Sequence, residues 1–139
     1  MNNKNVLEII CGIAGGLAGF LFGAADGLFY ALVAFVVLDY VTGVISAIVK
    51  KELSSRAGLS GIFRKLMVFV LVALANIIDV QVLSGGVGEL QNAGVLRSAT
   101  AAFLLANEGL SILENVAEVG MPIPKKLKAA LRQVRGEDK

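Results

Sequence analysis

Four long apolar stretches, three of them interrupted by acidic residues, fill most of this 139-residue chain. They cover residues 9–25, 28–49, 66–83 and 95–113. A run of about 20 apolar residues matches the hydrocarbon thickness of a bilayer. An ionisable side chain inside such a run is costly, and it normally marks a polar pathway or a subunit contact. The pattern therefore predicts an all-α integral membrane protein with a polar interior.

Composition supports this class and indicates an oligomer. Apolar residues make up 56% of the chain and charged residues 17%, whereas an ordinary soluble domain carries roughly 25% charge. The length allows one domain at most. One copy with several spans can hardly enclose a wide opening, so any sizeable opening would be built from many copies. We therefore expect the main partners to be the lipid bilayer and further copies of the chain.

The chain lacks the side chains that several classes of function require. The chain has no His, no Trp and a single Cys, which removes the parts for zinc sites, disulfide frameworks and Ser/His/Asp triads. No glycine-rich phosphate loop of Walker or Rossmann form occurs. We expect a protein that is not an enzyme, has no cofactor or metal, and does not bind nucleic acid.

The distribution of basic residues predicts the topology. Nine are expected at the membrane surface, between the second and third stretches or after the fourth: Lys50, Lys51, Arg64, Lys65, Lys125, Lys126, Lys128, Arg132 and Arg135. Basic loops favour the cytoplasmic side, so both regions should lie there. Residues 84–94 contain no Lys or Arg. Four transmembrane helices with both termini cytoplasmic satisfy every loop, the first two forming a tight hairpin that turns at Asp26 and Gly27.

The fourth stretch leaves an alternative topology open. Arg97, Glu108 and Glu114 each add to its insertion cost unless they are paired, solvated or close to an interface. In the alternative this stretch is an interfacial helix. The basic tail would then lie outside, against the charge bias.

Glycines in the first stretch recur at helical spacing. Gly15, Gly19, Gly23 and Gly27 are four residues apart, and Gly12 and Gly16 form a second such pair. One helix face therefore has no side chains, and small-residue faces of this kind drive close helix packing in lipid. The spacing indicates a helix contact, either within one chain or between copies.

The acids in the apolar stretches form the candidate polar interior. At a rise of roughly 1.5 Å per residue, Asp39 lies about 17 Å and Glu108 about 20 Å from the start of its span, so the two could share a layer. Asp79 lies nearer the outer end of its own span. Against these acids and Glu114 we count one base, Arg97, so pairing within one subunit cannot neutralise them all. We expect protonation, water or a second subunit at these positions, or else acids that only hold helices together by hydrogen bonds.

The fourth stretch also carries a polar stripe. Asn107, Ser111, Glu114 and Asn115 follow helical spacing, with Glu108 alongside. This is the pattern of an amphipathic helix. Because the stripe follows three predicted spans, we interpret it as the lining of a water-filled pore or as a subunit seam.

The C-terminal region predicts a separate surface helix. Pro122 and Pro124 should end the preceding helix. Beyond them, apolar and basic residues fall on different sides of a short helix, as expected for one that lies on an anionic cytoplasmic leaflet. We therefore divide the chain into a transmembrane domain, residues 1–120, and a cytoplasmic basic amphipathic tail, residues 121–139.

Motifs spread over residues 35–131 resemble one known family. They are Asp39-Tyr40-Val41-Thr42-Gly43, Ser54-Ser55, Gly58, Gly61-Ile62, Lys65, Asp79, the block from Asn107 to Asn115, and Gly120-Met121-Pro122-Ile123-Pro124. In their order and spacing they resemble the bacteriophage holin family that includes clostridial toxin-secretion holins. The resemblance implies a multi-pass protein of the bacterial cytoplasmic membrane that oligomerises and opens lesions. These lesions release an endolysin or a toxin, without a predicted stable contact with it.

One alternative comes from a different functional class. A small proton-coupled cation exporter would also place a carboxylate such as Asp39 at mid-membrane. A cation site of that kind usually has aromatic residues around the acid. Here aromatic residues total only 6% of the chain.

Overall fold

The computed structural model describes residues 2–83 and 94–136, and this part of the chain is helical, with no strand. Its elements are α1 (Asn3–Phe22), α2 (Gly27–Val49), α3 (Ser55–Ile77) with a wider π-helical extension (Ile78–Leu83), α4 (Val95–Glu118) and α5 (Lys125–Arg135). The all-α class is confirmed. Three of these helices are long and apolar enough to cross a membrane, namely α1, α2 and α3 with its extension.

Local sequence signals explain where α2 and α3 begin. The Asp26 side chain accepts the backbone N–H of Phe29 at 2.9 Å, and the Ser54 hydroxyl accepts that of Ala57 at 3.2 Å. Each side chain satisfies one of the unpaired donors of a first helical turn. Two helices begin well before their apolar runs, α1 at Asn3 and α3 at Ser55. The apolar run predicts what lipid can cover, and the helix continues through the charged residues beside it.

Helices α2, α3 and α4 form the bundle that holds the charged side chains. The start of α4 contacts the start of α2 through Arg97 and Asp26, and the end of α4 contacts the end of α2 through Glu118 and Lys50. Helices α2 and α4 therefore run side by side in the same direction over their full lengths. Helix α3 is antiparallel to both. The apolar core between them consists of Leu32, Val36, Val68, Val72, Ala101 and Leu104.

Helix α1 stands apart from this bundle. None of its residues is buried. It approaches the bundle at its C-terminal end, where Phe22 packs against Phe29 and Phe69 at ring-centroid distances of 5.4 and 6.2 Å. The predicted tight hairpin of the first two helices is therefore confirmed only in its short turn. Beyond that turn, α1 packs against α3 and not along α2.

Helix α5 folds back against α4. A Cβ atom at Gly109 would lie 3.0 Å from both Leu131 of α5 and Phe35 of α2, so glycine permits this close approach. Leu127 and Val134, on the apolar side of α5, remain exposed. This surface is available to lipid, and the placement of α5 on the cytoplasmic leaflet stays a prediction.

Candidate functional site

A lysine and two carboxylates meet inside the bundle. The Lys65 ammonium of α3 donates hydrogen bonds to Asp39 of α2 and to Glu108 of α4. The side chains of Asp39 and Glu108 are only 6% and 4% exposed, and that of Lys65 is 19% exposed. Each helix of the bundle therefore supplies one charge. The expectation that Asp39 and Glu108 share a layer is confirmed.

Asn115 completes this group. Its side-chain amide donates to the second carboxylate oxygen of Asp39 at 2.9 Å and to the Thr42 hydroxyl at 3.1 Å. Both oxygens of Asp39 therefore have a donor, as a buried carboxylate requires. Asp39, Lys65, Glu108 and Asn115 are called the central cluster below.

The central cluster corrects the charge count made from the sequence. Lys65 was assigned to the membrane surface because it precedes the apolar run at 66–83, and the count of bases near the buried acids therefore included Arg97 alone. In the structure Lys65 contacts both Asp39 and Glu108, so this count is wrong. Because α3 begins at Ser55, Lys65 lies well inside the helix, and its flexible stem carries the charge to both acids. Extending the predicted helix from the apolar run towards its N-terminus would have placed Lys65 inside the helix.

A second group of charges lies at the end of the bundle where α2 and α4 begin. The Arg97 guanidinium is buried and donates to Asp26 at 2.8 Å, to the Phe22 carbonyl at 2.6 Å and to the Ala24 carbonyl at 2.7 Å. These acceptors lie at the last residue of α1 and in the turn between α1 and α2. Arg97 therefore fastens this turn to α4, and it satisfies carbonyls that the end of α1 leaves unpaired.

Asp79 belongs to the same region. Its carboxylate accepts the backbone N–H groups of Leu96 at 3.1 Å and Arg97 at 2.6 Å, the first turn of α4. A carboxylate is favoured there because the N-terminal end of a helix carries a partial positive charge. Asp79, predicted as a pore or subunit contact, is thus buried within its own chain. Asp26, Asp79 and Arg97 are called the end cluster below.

The end cluster also places one of the predicted packing glycines. Gly23 lies just beyond α1 with a φ of 70°, and a Cβ there would be 2.6 Å from the side-chain oxygen of Asn76. Glycine is needed here both for the backbone conformation and for the close approach. Gly23 therefore closes the turn and is not part of a helix face.

The polar stripe of α4 divides among several surroundings. Asn115 contacts α2, so part of the stripe faces a helix of the same chain. One turn further along α4, Glu118 accepts a hydrogen bond from Ser46 and pairs with Lys50 at 2.7 Å. Ser111 lines a cavity. Asn107 is half-buried and Glu114 is exposed. Of this stripe, Glu114 presents its side chain to the surroundings of the protomer.

The remaining predicted surface bases differ in exposure. Lys51, Lys125, Lys126 and Arg132 are exposed, and Lys128 is half-buried. The side chain of Arg135 lies outside the described residues.

Four glycines of α1 form a face without contacts in the described chain. A Cβ atom added at any of them would meet nothing within 4 Å, and the same holds for Gly27 at the start of α2. The members are Gly12, Gly15, Gly16 and Gly19, called the glycine face below. Packing of this face within one chain, one of the two alternatives left open, is not observed.

Comparison with known proteins identifies the family. A model of the bacteriophage holin family matches residues 16–136. The chain belongs to this family. It is 40% identical to a protein of Bacillus phage phi105 named a probable holin, over 86% of this chain and 82% of that protein. No solved structure matches the chain.

Two bacterial relatives show similar coverage. An uncharacterised 14.9 kDa protein of Clostridium perfringens is 42% identical over 88% of each chain. An uncharacterised protein of Halalkalibacterium halodurans is 35% identical over 96% of each chain. The resemblance to holins is thus confirmed, and the family match reaches back into the glycine-rich helix α1.

In this holin-family chain the two clusters lie in separate layers. Along α2 the distance from Asp26 to Asp39 is about 20 Å, and along α4 that from Arg97 to Glu108 is about 17 Å. Both are shorter than the hydrocarbon core of a bilayer, about 30 Å. If the end cluster lies at one membrane surface, the central cluster lies within the hydrocarbon layer. There the ion pairs can hold three helices together while water is excluded, and water that enters would weaken them.

Proposed function

We propose that this chain is a holin that accumulates in the bacterial cytoplasmic membrane, forms homo-oligomers, and opens lesions through which an endolysin or a toxin leaves the cell. Family membership and the phage relative named a probable holin support this function. The glycine face carries the proposal of assembly: it is a bare helix face, in a membrane protein, that no part of the described protomer covers.

Four membrane crossings with both termini cytoplasmic are part of this proposal. Helix α4 is not among the three helices apolar enough to cross alone. It lies along the full length of α2, however, and Arg97 and Glu108, which would oppose its insertion, are buried against the bundle. Its outer surface includes the exposed apolar residues Val95, Leu96 and Phe103. A helix with this arrangement fits beside α2 in a membrane.

The central cluster is proposed to stabilise the closed protomer. Two carboxylates face one ammonium, so when all three groups are ionised the cluster carries one excess negative charge. Such a charge is tolerated in hydrocarbon only with polar partners or water. We infer that the cluster stays dry while the assembly is closed and becomes hydrated when a lesion opens.

Release of a folded enzyme from vesicles tests the proposed function. Full-length protein is reconstituted into lipid vesicles loaded with an enzyme of endolysin size, and released activity is measured together with oligomer size in detergent. Gly19→Leu should leave the protomer folded, because a Cβ there meets no atom. It should reduce oligomer size and slow release, because a bulky side chain separates helices that pack through glycines.

Ala14→Leu provides the matched control on the opposite side of α1. Ala14 is also exposed, so this variant adds equal bulk outside the glycine face and should behave like the unmodified protein. Equal oligomer size and equal release for both variants would contradict assembly through the glycine face. Counterflow of a small cation without enzyme release would instead favour the exporter.

A further inference from the structure

A cavity of about 300 Å³ opens between α2, α3 and α4, near the connection from α2 to α3. Its lining extends from Ser54, at the start of α3, to Lys65 of the central cluster. The wall formed by α3 consists of small residues there. Cβ atoms added at Gly58 and Gly61 would find Tyr40 of α2 as the nearest neighbour, at 3.9 and 3.8 Å. Tyr40 would be in van der Waals contact with a methyl group at either position, so the glycines form the part of the cavity wall that faces Tyr40.

The charges in the lining favour an anion. Asp39 and Lys65 both line the cavity, but they contact each other, and Asn115 holds the second oxygen of Asp39. Arg64 is the remaining charged residue of the lining. Within residues 2–83 and 94–136 it has neither an ion pair nor a hydrogen bond from its side chain. The unpaired charge that the cavity offers is thus a guanidinium.

Neutral donors line the same cavity. The hydroxyl groups of Ser54, Tyr40 and Ser111 belong to the lining. A guanidinium with nearby hydroxyls suits a phosphate, because arginine binds phosphate oxygens with two parallel hydrogen bonds.

The position of the cavity in the membrane selects a lipid as the source of that phosphate. Helix α3 with its extension has 29 residues, about 43 Å in length, and this exceeds a hydrocarbon core of about 30 Å. Arg64 precedes the apolar run at 66–83, and side chains on a helix tilt towards its N-terminus, here the end that carries the α2–α3 connection. The guanidinium can therefore reach the level of lipid headgroups.

We propose that this cavity binds the phosphate of an anionic phospholipid, with Arg64 as the principal ligand. Ser54, at the start of α3, contributes a hydroxyl. The acyl chains lie against exposed apolar residues that follow Arg64 on the same side of α3 in the direction of the apolar run, namely Met67, Leu71 and Leu74. Basic pockets between membrane helices are known to accept anionic headgroups in this manner. The lipid would occupy the space between α2 and α3 next to the central cluster.

Lipid titration of the full-length protein by native mass spectrometry tests this site. Dioleoyl phosphatidylglycerol is compared with dioleoyl phosphatidylcholine, and the anionic lipid is expected to bind more tightly. Arg64→Gln should weaken phosphatidylglycerol binding about tenfold, as expected for the loss of a charge-assisted hydrogen-bonded contact. Arg56→Gln removes an exposed base of the same helix that does not line the cavity, and it should change binding less than twofold.

Filling the cavity supplies a second variant that keeps Arg64. Gly61→Leu adds a side chain to the cavity wall beside Tyr40 and should reduce phosphatidylglycerol binding while the protein stays helical. Equal weakening by Arg64→Gln and Arg56→Gln, or equal binding of the two lipids, would overturn the site in favour of diffuse surface charge. Competition by glycerol phosphate at concentrations equal to those of the lipid would overturn the lipid as its ligand.

Discussion

The central cluster and the end cluster bury a cation in two different ways. In the end cluster, the Arg97 guanidinium is held by one carboxylate and two backbone carbonyls of a turn. In the central cluster, the Lys65 ammonium is held by two carboxylates on two other helices. The first arrangement depends on the shape of a turn. The second depends on the charge balance between helices.

This difference suggests different roles for the two layers. Arg97 presents several donors in a fixed planar fork, which suits a permanent connection between a turn and a helix. Lysine carries a compact, strongly hydrated charge on a flexible stem, and its bonds exchange readily with water. We therefore expect the end cluster to persist when an assembly opens and the central cluster to change.

The largest expected effect is that of Lys65→Met. This variant leaves Asp39 and Glu108 buried without their cation, and breaking a buried ion pair in this way costs about 3–5 kcal/mol. The free energy of unfolding, measured by denaturant titration in mild detergent, should fall by about this amount. Lys126→Met, at an exposed position of α5, serves as the control. If the free energy of unfolding falls no further than in the control, the central cluster does not stabilise the fold as expected.

Arg97→Gln should have the next largest effect. The variant loses charge-assisted hydrogen bonds at the end cluster, worth about 1.5–3 kcal/mol each, but water can reach the nearby turn and replace part of them. We expect a loss of about 2 kcal/mol in the free energy of unfolding, and faster proteolysis at the turn between α1 and α2. If Arg97→Gln were more harmful than Lys65→Met, the ranking of the two clusters would be reversed.

Glu108→Gln should alter function more than stability. It leaves Lys65 facing the single carboxylate of Asp39, which is a balanced pair, so the free energy of unfolding should change by less than about 1 kcal/mol. Lysis timing in a bacterial host should nevertheless shift, because the excess charge proposed to favour hydration is gone. Glu114→Gln, at an exposed acid of the same helix, is the control. Unchanged timing and oligomer size for both Asp39→Asn and Glu108→Gln would contradict a role of this cluster in opening.

The smallest expected effect is a pH dependence of the end cluster. Hydrogen bonds from Arg97, and then from the backbone of Phe29, lower the pKa of the Asp26 carboxyl. A carboxyl with a lowered folded pKa stabilises the fold above its unfolded pKa and stops doing so as the pH falls through the lowered value. After correction for intrinsic exchange rates, the hydrogen-exchange rate of amides in the turn should therefore be constant from pH 7 to 5. It should increase below about pH 4.

Asp26→Asn should remove this pH step. The effect should be small because the Asp26 side chain is 43% exposed and solvent screens its interaction with Arg97. A step that persists in Asp26→Asn would assign the titration to another carboxyl.

Much of the architecture follows from sequence alone because lipid imposes a strong and simple requirement. Apolar runs predicted helices at 9–25, 28–49, 66–83 and 95–113, and the structure contains α-helices at 3–22, 27–49, 55–77 and 95–118. The layer shared by Asp39 and Glu108 was predictable as well, since helical rise converts sequence position into depth. The family was predictable from a resemblance of motifs over residues 35–131, which the family match at residues 16–136 confirms.

The identity of partners was not predictable, because it depends on which helix faces turn towards one another. Lys65 was missed because the apolar run of α3 starts one residue later, and Asp79 because its capping contact with α4 spans a long stretch of sequence. Gly23 resembled its glycine neighbours by spacing, yet only the approach of Asn76 gives it a separate role.

By itself the sequence determined that the chain is helical, apolar along membrane-length segments, and a member of the holin family. The tertiary structure alone decided that Lys65 joins the two mid-depth acids, that Arg97 holds the turn, and that the glycine face remains uncovered within the protomer. The physical reason is that hydrophobic length and helical periodicity are local properties of a chain. Charge pairing and helix contact depend on the rotation of each helix relative to its neighbours, which packing fixes.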